Sequence, residues 1–341
     1  MHNINFYNLC ICTRSLAGNL SLWSIIQTLV DFSNKIQNGY VEQGMKHKSF
    51  EIYNLFKNII TFYKFSVTEI ILGKFIILAI IVIFIIYAYL DMQRISIKRY
   101  SFKTLDNLKI IQLSDLHKKT FGKGNSKLID LIKKENPDVL VFTGDLISRT
   151  QTDFTNIENL IKEVCKFTRV YYILGNHELD MNQSTCKALC NQLQSYGATL
   201  LDNESIYISR STKLWGLTVP IECYHNEKHG YKNLYSYLTS DLQSALQEPN
   251  SKDFNILLAH NPFFFDSYAS WGADLTLCGH VHGGIVRLPM INGILSPERK
   301  LFPKYSGGMY SKDSSNMIVS RGLGKLRLFN PPEISVIELH T

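Results

Sequence analysis

The chain has 341 residues, with 36 Lys and Arg against 29 Asp and Glu and a formal net charge of +7. At 45% hydrophobic and 19% charged residues it sits near the globular average, which argues against a disordered chain and against a polytopic membrane protein. The basic bias suits an anionic substrate or membrane surface without by itself indicating nucleic acid, and seven cysteines lacking any C-x-x-C spacing point to neither a disulfide framework nor a zinc ribbon.

Residues 1–69 contain two stretches, SLWSIIQTLVDF and SFEIYNLFKNIITFYKF, whose apolar spacing suits interfacial amphipathic helices, but no cluster with obvious chemistry. The segment carries no assigned activity, and Met45 opens a basic run, MKHKSF, that would make a plausible start. Residues 70–90 read IILGKFIILAIIVIFIIYAYL, with Lys74 as the one charge. About 20 helical residues at ~1.5 Å each cross a ~30 Å hydrocarbon layer, so the run predicts a single transmembrane helix. Lys74 near one end can snorkel, and Tyr87 and Tyr89 suit the other interface. Residues 91–105 are read as a short linker whose Arg94, Lys98, Arg99 and Lys103 outnumber Lys64 and Lys74, the basic residues a comparable stretch before it offers. That asymmetry places the C-terminal side in the cytoplasm and keeps whatever follows close to the bilayer.

From about residue 106 the pattern changes to short apolar runs alternating with helical stretches, the grammar of an α/β fold. Five of those runs end in polar residues. Leu108–Leu113 leads to Asp115 and His117, Val139–Phe142 to Gly144 and Asp145, and Tyr171–Leu174 to Gly175, Asn176, His177 and Glu178. Ile256–Ala259 leads to His260, and Leu275–Cys278 to Gly279, His280 and His282. Binding sites in α/β sheets form beyond the carboxyl ends of strands, so five such tips converge in one crevice. Histidine, aspartate and asparagine without thiolate form a ligand mixture for borderline divalent cations. Cys278 continues a buried run and reads as core.

This ordered set, D-x-H, G-D, G-N-H-E, a lone His and G-H-x-H, resembles the calcineurin-like metallophosphoesterases from about residue 106 to the end. The stretches CGHVHGGIVRLP, SRGLG and FNPPEISVIEL look like the bacterial membrane-associated phosphodiesterase branch. The resemblance implies a four-layer α/β/β/α sandwich, here preceded by a transmembrane helix, with a dinuclear centre at one edge. It implies Asp115, His117 and His282 on one metal, Asn176, His260 and His280 on the other, and Asp145 bridging both. The two ions would be manganese, iron, zinc or cobalt. A hydroxide between them would attack phosphorus in line, with no covalent enzyme intermediate. His177 would protonate the leaving oxygen or stabilise charge on phosphorus, and Glu178, where many members carry Asp, would orient His177.

The implied activity is hydrolysis of a membrane-proximal or lipid-linked phosphodiester or pyrophosphate. Phosphomonoester hydrolysis, a nuclease on the same site and a non-catalytic metal-binding scaffold are the alternatives, and the membrane tether disfavours nucleic acid. Gly144-Asp145 lacks the D-R-G extension of serine/threonine protein phosphatases. Arg287, Arg299, Lys300, Lys304, Arg321, Lys325 and Arg327 crowd the C-terminal region. Most read as solvated; Arg287 and Arg321 are the candidates for substrate contact, Arg321 because a glycine-bounded loop carries it. Asn261 to Phe265 and Trp271 read as a core-packing helix face, or as an apolar wall for an acyl chain.

Overall fold

A computed structural model of the chain describes residues 47–225, 234–288, 292–296, 301–324 and 327–341. Met45, the stretch SLWSIIQTLVDF and the basic residues Arg299, Lys300 and Lys325 lie outside the described residues. The chain divides into two compact units, Met1–Phe84 and Ile85–Thr341.

One α-helix, α1, runs unbroken over His47–Gln93. Its segment Thr68–Gln93 has a mean hydropathy of 3.0 over 18 residues, long and apolar enough to cross a membrane. The separate interfacial helix expected over SFEIYNLFKNIITFYKF does not exist as such. Ser66, Val67, Thr68 and Glu69 offer no proline or glycine to end it, and the helix continues through.

The expected linker is also different. Ser96–Lys103 is a strand, β1, which pairs in parallel with β14, Glu333–His340. Between α1 and β1 only Arg94 and Ile95 remain. The Arg99 guanidinium of β1 donates from Nη1 to Glu135 Oε2 at 2.9 Å and from Nη2 to Glu135 Oε1 at 2.8 Å, so part of the basic excess holds the sheet edge. The alternation needed to recognise β1 is weak because an edge strand keeps one face half in water.

The C-terminal unit contains two six-stranded mixed sheets. In the first, β1 lies beside β14, then β2 (Leu108–Leu113), β3 (Val139–Thr143), β4 (Arg169–Ile173) and β5 (Thr199–Leu200). The second runs β12 (Gly308–Lys312), β13 (Ser315–Val319), β9 (Leu275–Cys278), β8 (Phe254–Ala259), β7 (Thr212–Leu217) and β6 (Glu204–Tyr207), while β10 (Arg287–Leu288) and β11 (Asn292–Gly293) form a separate antiparallel pair. Strands β2, β3 and β4 are mutually parallel, as are β7, β8 and β9, so each sheet sends three carboxyl ends the same way.

Strand alternation builds the layers. Ile110, Val139, Val141 and Ile173 face Leu214, Ile256, Leu258 and Leu277 between the sheets. Their neighbours Ile111, Leu140, Phe142 and Tyr172 face outward against helices. Helix α2, Ser126–Glu135, buries Leu128, Ile129 and Ile132 there and ends at Asn136 in the left-handed region, φ 49°. Helix α3, Thr155–Val164, buries Ile157, Leu160, Ile161 and Val164, a one-sided stripe at helical spacing. Each such side chain contributes about 1.5–3 kcal/mol on full burial. On the far side Trp215, Leu257, Cys278 and Met317 pack with Phe265, Tyr268 and Trp271, so the FFF-to-Trp271 segment is core, and no acyl wall is needed to explain it. The result is the four-layer α/β/β/α sandwich.

Between β1 and β2, the Asp106 carboxylate ties the sheets at the edge away from the strand tips. It accepts from Ser211 N at 3.1 Å, Ser211 Oγ at 2.8 Å, Thr212 Oγ1 at 2.7 Å and from Ser209 Oγ.

Candidate metal centre

The strand tips converge. Ligand atoms of Asp115, His117, Asp145 and His282 lie within 4.8 Å of one another, as do those of Asp145, His260 and His280, and Asp145 belongs to both groups. Asn176 joins the second through Oδ1, 3.1 Å from His280 Nδ1. His117 Nε2 and His282 Nε2 stand 3.2 Å apart, and His282 Nε2 is 3.3 Å from Asp115 Oδ1. Two atoms bound to one ion at ~2.1 Å stand about 3.0–3.4 Å apart, so these separations suit a shared cation.

Backbone carbonyls decide which imidazole nitrogen faces inward. His260 Nδ1 donates to Thr143 O at 2.6 Å, and His117 Nδ1 to Ile147 O at 3.2 Å. This leaves the Nε2 lone pair of each for the site. His260 is fully buried, and its Nε2 has no hydrogen-bond partner, although Asp145 Oδ2 is 3.3 Å away. An orphaned buried nitrogen among carboxylates and imidazoles fits a pair of divalent cations. Burial works to raise the carboxyls of Asp115 and Asp145, yet the surrounding histidines hold both below the usual range. Burial likewise opposes protonation of His260, but Asp145 and Asp115 lift it to about 9.

The backbone is strained where the candidate ligands sit. Asp115, His117, Asp145, His280 and His282 all have positive φ, between 51° and 72°. The left-handed region costs an L-residue roughly 1–2 kcal/mol, so the fold holds these side chains against local preference. Glycines give the room. A Cβ at Gly279 would fall 1.8 Å from Ser114 Oγ, and one at Gly322, φ +69°, would fall 2.7 Å from Asp115 Cβ. The second collision explains the glycine-rich SRGLG loop: it packs on Asp115.

Arg321, carried by that loop, is not turned to a substrate. Its Nε donates to Glu333 at 2.5 Å and its Nη2 to Ser96 Oγ at 3.0 Å. Arg287 Nη1 donates to Gly283 O at 3.2 Å, beside His282. Arg327, expected in solvent, is 4% exposed and donates to the carbonyls of Gly324, Arg321 and His282. Burial lowers its pKa to about 10. Arg287 and Arg327 hold the loops around the site because carbonyls freed by tight turns need donors, whereas Arg321 ties its loop to Glu333 and Ser96.

Glu178 differs from expectation as well. It makes no bond to His177; its Oε2 accepts from Asp145 N at 3.0 Å and Gly175 N at 2.8 Å, and its Oε1 from Ile147 N at 3.1 Å. Burial and the neighbouring Asp145 push its carboxyl up to about 8, against the pull of those three donors. His177 is oriented instead by Arg149, whose backbone N–H donates to Nδ1 at 3.0 Å. A main-chain N–H can only donate, so the neutral ring carries its proton on Nε2, 3.9 Å from Asp145 Oδ2. Burial depresses His177 to about 4.

Two residues escaped the sequence reading. Gln112, fully buried between the sheets, donates through Nε2 to Cys278 O at 2.8 Å and Thr143 Oγ1 at 3.1 Å, joining β2 to β9 directly beneath the ligands. Its signal was a polar residue inside the apolar run LKIIQL. Asn330 Nδ2 donates to His282 O at 2.6 Å and Gly284 O at 2.8 Å.

A family model described as calcineurin-like phosphoesterase matches residues 108–284. The metallophosphoesterase YkuE of Bacillus subtilis is 28% identical over 267 residues, covering 74% of this chain and 87% of that protein. The phosphodiesterase YaeI of Escherichia coli is 25% identical over 241 residues, covering 68% and 82%. The UDP-2,3-diacylglucosamine pyrophosphatase LpxG of Chlamydia muridarum is 24% identical over 278 residues, covering 69% and 84%.

Proposed function

The chain belongs to the calcineurin-like phosphoesterases, hydrolases of phosphoric ester bonds, and from that premise we propose that it is a membrane-anchored phosphodiesterase acting on a membrane-proximal or lipid-linked phosphodiester or pyrophosphate. The observation that carries this reading is the pair of ligand groups sharing Asp145. Asp115, His117 and His282 would hold one divalent cation, Asn176, His260 and His280 the other, and Asp145 both. When bound, the cations supply Lewis acidity to the phosphoryl oxygens and make a water more acidic.

The chain's own residues do the remaining work. Asp145 balances charge that would otherwise drive two cations apart. His177, neutral and with its proton on Nε2, donates a hydrogen bond to charge developing on the phosphoryl group; the Arg149 N–H on Nδ1 disfavours the imidazolium that proton transfer to a leaving oxygen would need. Glu178 fixes the Asp145 backbone.

The membrane part of the proposal rests on the apolar Thr68–Gln93 segment and on the two residues, about 7 Å of extended chain, between α1 and β1. Relatives named as a phosphodiesterase and as a pyrophosphatase of a diacylated sugar nucleotide support the bond type and the lipid-linked class. The basic residues after the span favour a cytoplasmic catalytic domain.

The test uses the full chain in detergent, stripped by chelator and reloaded with manganese, zinc, iron or cobalt. Turnover of bis(p-nitrophenyl) phosphate should return with metal and exceed that of p-nitrophenyl phosphate, and Asp145→Asn should abolish both turnover and metal stoichiometry. Preference for the monoester would overturn the phosphodiesterase reading.

A further inference from the structure

A cavity of about 250 Å³ opens beside the centre, lined by His117, Lys118, Thr150, Gln151, Thr152, Asp153 and Asn156. Every lining side chain, the His117 imidazole included, carries a charged or hydrogen-bonding group, whereas purely aliphatic and aromatic side chains line most small-molecule pockets. Its volume equals about eight waters at ~30 Å³ each, room for a glycerol or a single sugar ring.

Part of the lining is committed to the loop itself. Gln151 accepts from Ser148 N at 3.2 Å and donates to Asp153 O at 2.7 Å, and the Asp153 carboxylate accepts from Thr155 N at 2.9 Å. Lys118 directly follows the candidate ligand His117, and its Nζ stands 3.5 Å from Thr150 Oγ1, so a cation and a hydroxyl share one wall. The exposed Thr152 hydroxyl and Asn156 amide add further donors and acceptors to the lining.

We propose that this cavity is a subsite for the alcohol of the ester, selecting a small polyol such as a glycerol or sugar head over an alkyl group. Lys118 meets an anionic oxygen of the phosphoryl linkage, and Thr150, Thr152 and Asn156 take hydroxyls. An alkyl group there would leave those polar groups without exchange partners for the water it displaces. The Asp153 carboxylate in the same lining favours hydroxyls over a second highly charged group. The assignment rests on the phosphodiesterase reading and names the substrate class of that site.

The full chain, metal-loaded in detergent, would be given 2,3-dihydroxypropyl p-nitrophenyl phosphate and propyl p-nitrophenyl phosphate, which differ only in two hydroxyls. The expected kcat/KM ratio is about tenfold or more in favour of the dihydroxypropyl ester, from two hydrogen bonds of ordinary strength. Thr150→Val with Thr152→Val, both exposed positions, should bring the ratio towards one. Calorimetry with glycerol 1-phosphate and propyl phosphate supplies a readout independent of turnover, and the same preference should appear in Kd. A ratio near one in the parent protein, or one unchanged in the double variant, overturns the subsite. Two bound metals without cleavage of either ester would remove the phosphodiesterase reading. A surviving calorimetric preference would then still support the polyol subsite, and its absence would overturn it.

Discussion

Glu178→Gln separates two accounts of the same residue. If Glu178 oriented His177, the substitution would lower kcat and leave metal affinity and stability nearly unchanged. The structure makes it a clamp on three backbone N–H groups, those of Asp145, Gly175 and Ile147, at 2.8 to 3.1 Å. A glutamine keeps one oxygen acceptor and replaces the other by an amide that can only donate. With the oxygen retained at Oε2, the Ile147 N–H loses its partner in a buried site, at a cost of about 1–3 kcal/mol. For a domain of this size 1 kcal/mol shifts Tm by ~2–4 °C, so a central loss of ~2 kcal/mol is a fall of ~4–8 °C. Because the freed segment carries Asp145, metal affinity should fall about 10–100-fold, as on losing a group that orients a metal ligand. The assays are thermal unfolding of the full chain in detergent and calorimetric titration with manganese or zinc. Turnover at saturating metal should recover most of the parent kcat. Parent-like Tm and metal affinity with a depressed kcat would refute the clamp and restore the orienting role.

Two further outcomes follow from other contacts. His177→Ala should lower kcat by about 10²–10³-fold, the scale of losing one preorganised donor, while metal stoichiometry stays intact. His177→Gln, which keeps an N–H near the Nε2 position, should retain more activity than the alanine variant, and equal loss in both would count against the donor role. Asp106 gives a pH signature. Burial opposes its ionisation, but the serine and threonine donors win and its folded pKa lies below the ordinary value. Its contribution to stability is therefore full above the unfolded pKa of ~3.9 and disappears as pH falls through the folded pKa. Asp106→Asn should lower the urea midpoint at pH 7, by an amount corresponding to about 1–2 kcal/mol, with the gap to the parent narrowing below about pH 4. A gap that widens on acidification would contradict this.

The strand tips were legible in the chain because local rules write them. A short apolar run followed by Gly, Asp, His or Asn marks both the end of a strand and the residue types a divalent cation takes. The apolar run at 70–90 was legible for the same reason, since hydropathy and length are properties of contiguous residues. That the tips meet required the fold. Gln112 reaches Cys278 across 166 positions, and Arg321 reaches Ser96 across 225, so no local pattern could reveal either. Arg321 and Arg327 read as cations for solvent or substrate, because charge is visible in a sequence whereas the buried Glu333 and the turn carbonyls that accept from them are not. Glu178 sits beside His177 in sequence, yet its three partners are backbone donors supplied by two different strand tips. The β1 strand hid in a basic stretch, because an edge strand is defined by its hydrogen-bonded neighbour, β14, at the other end of the chain. Residue types therefore determined which chemistry is open to this chain, while long-range hydrogen bonding decided which of those residues gather at the candidate metal centre and which hold the backbone that carries them.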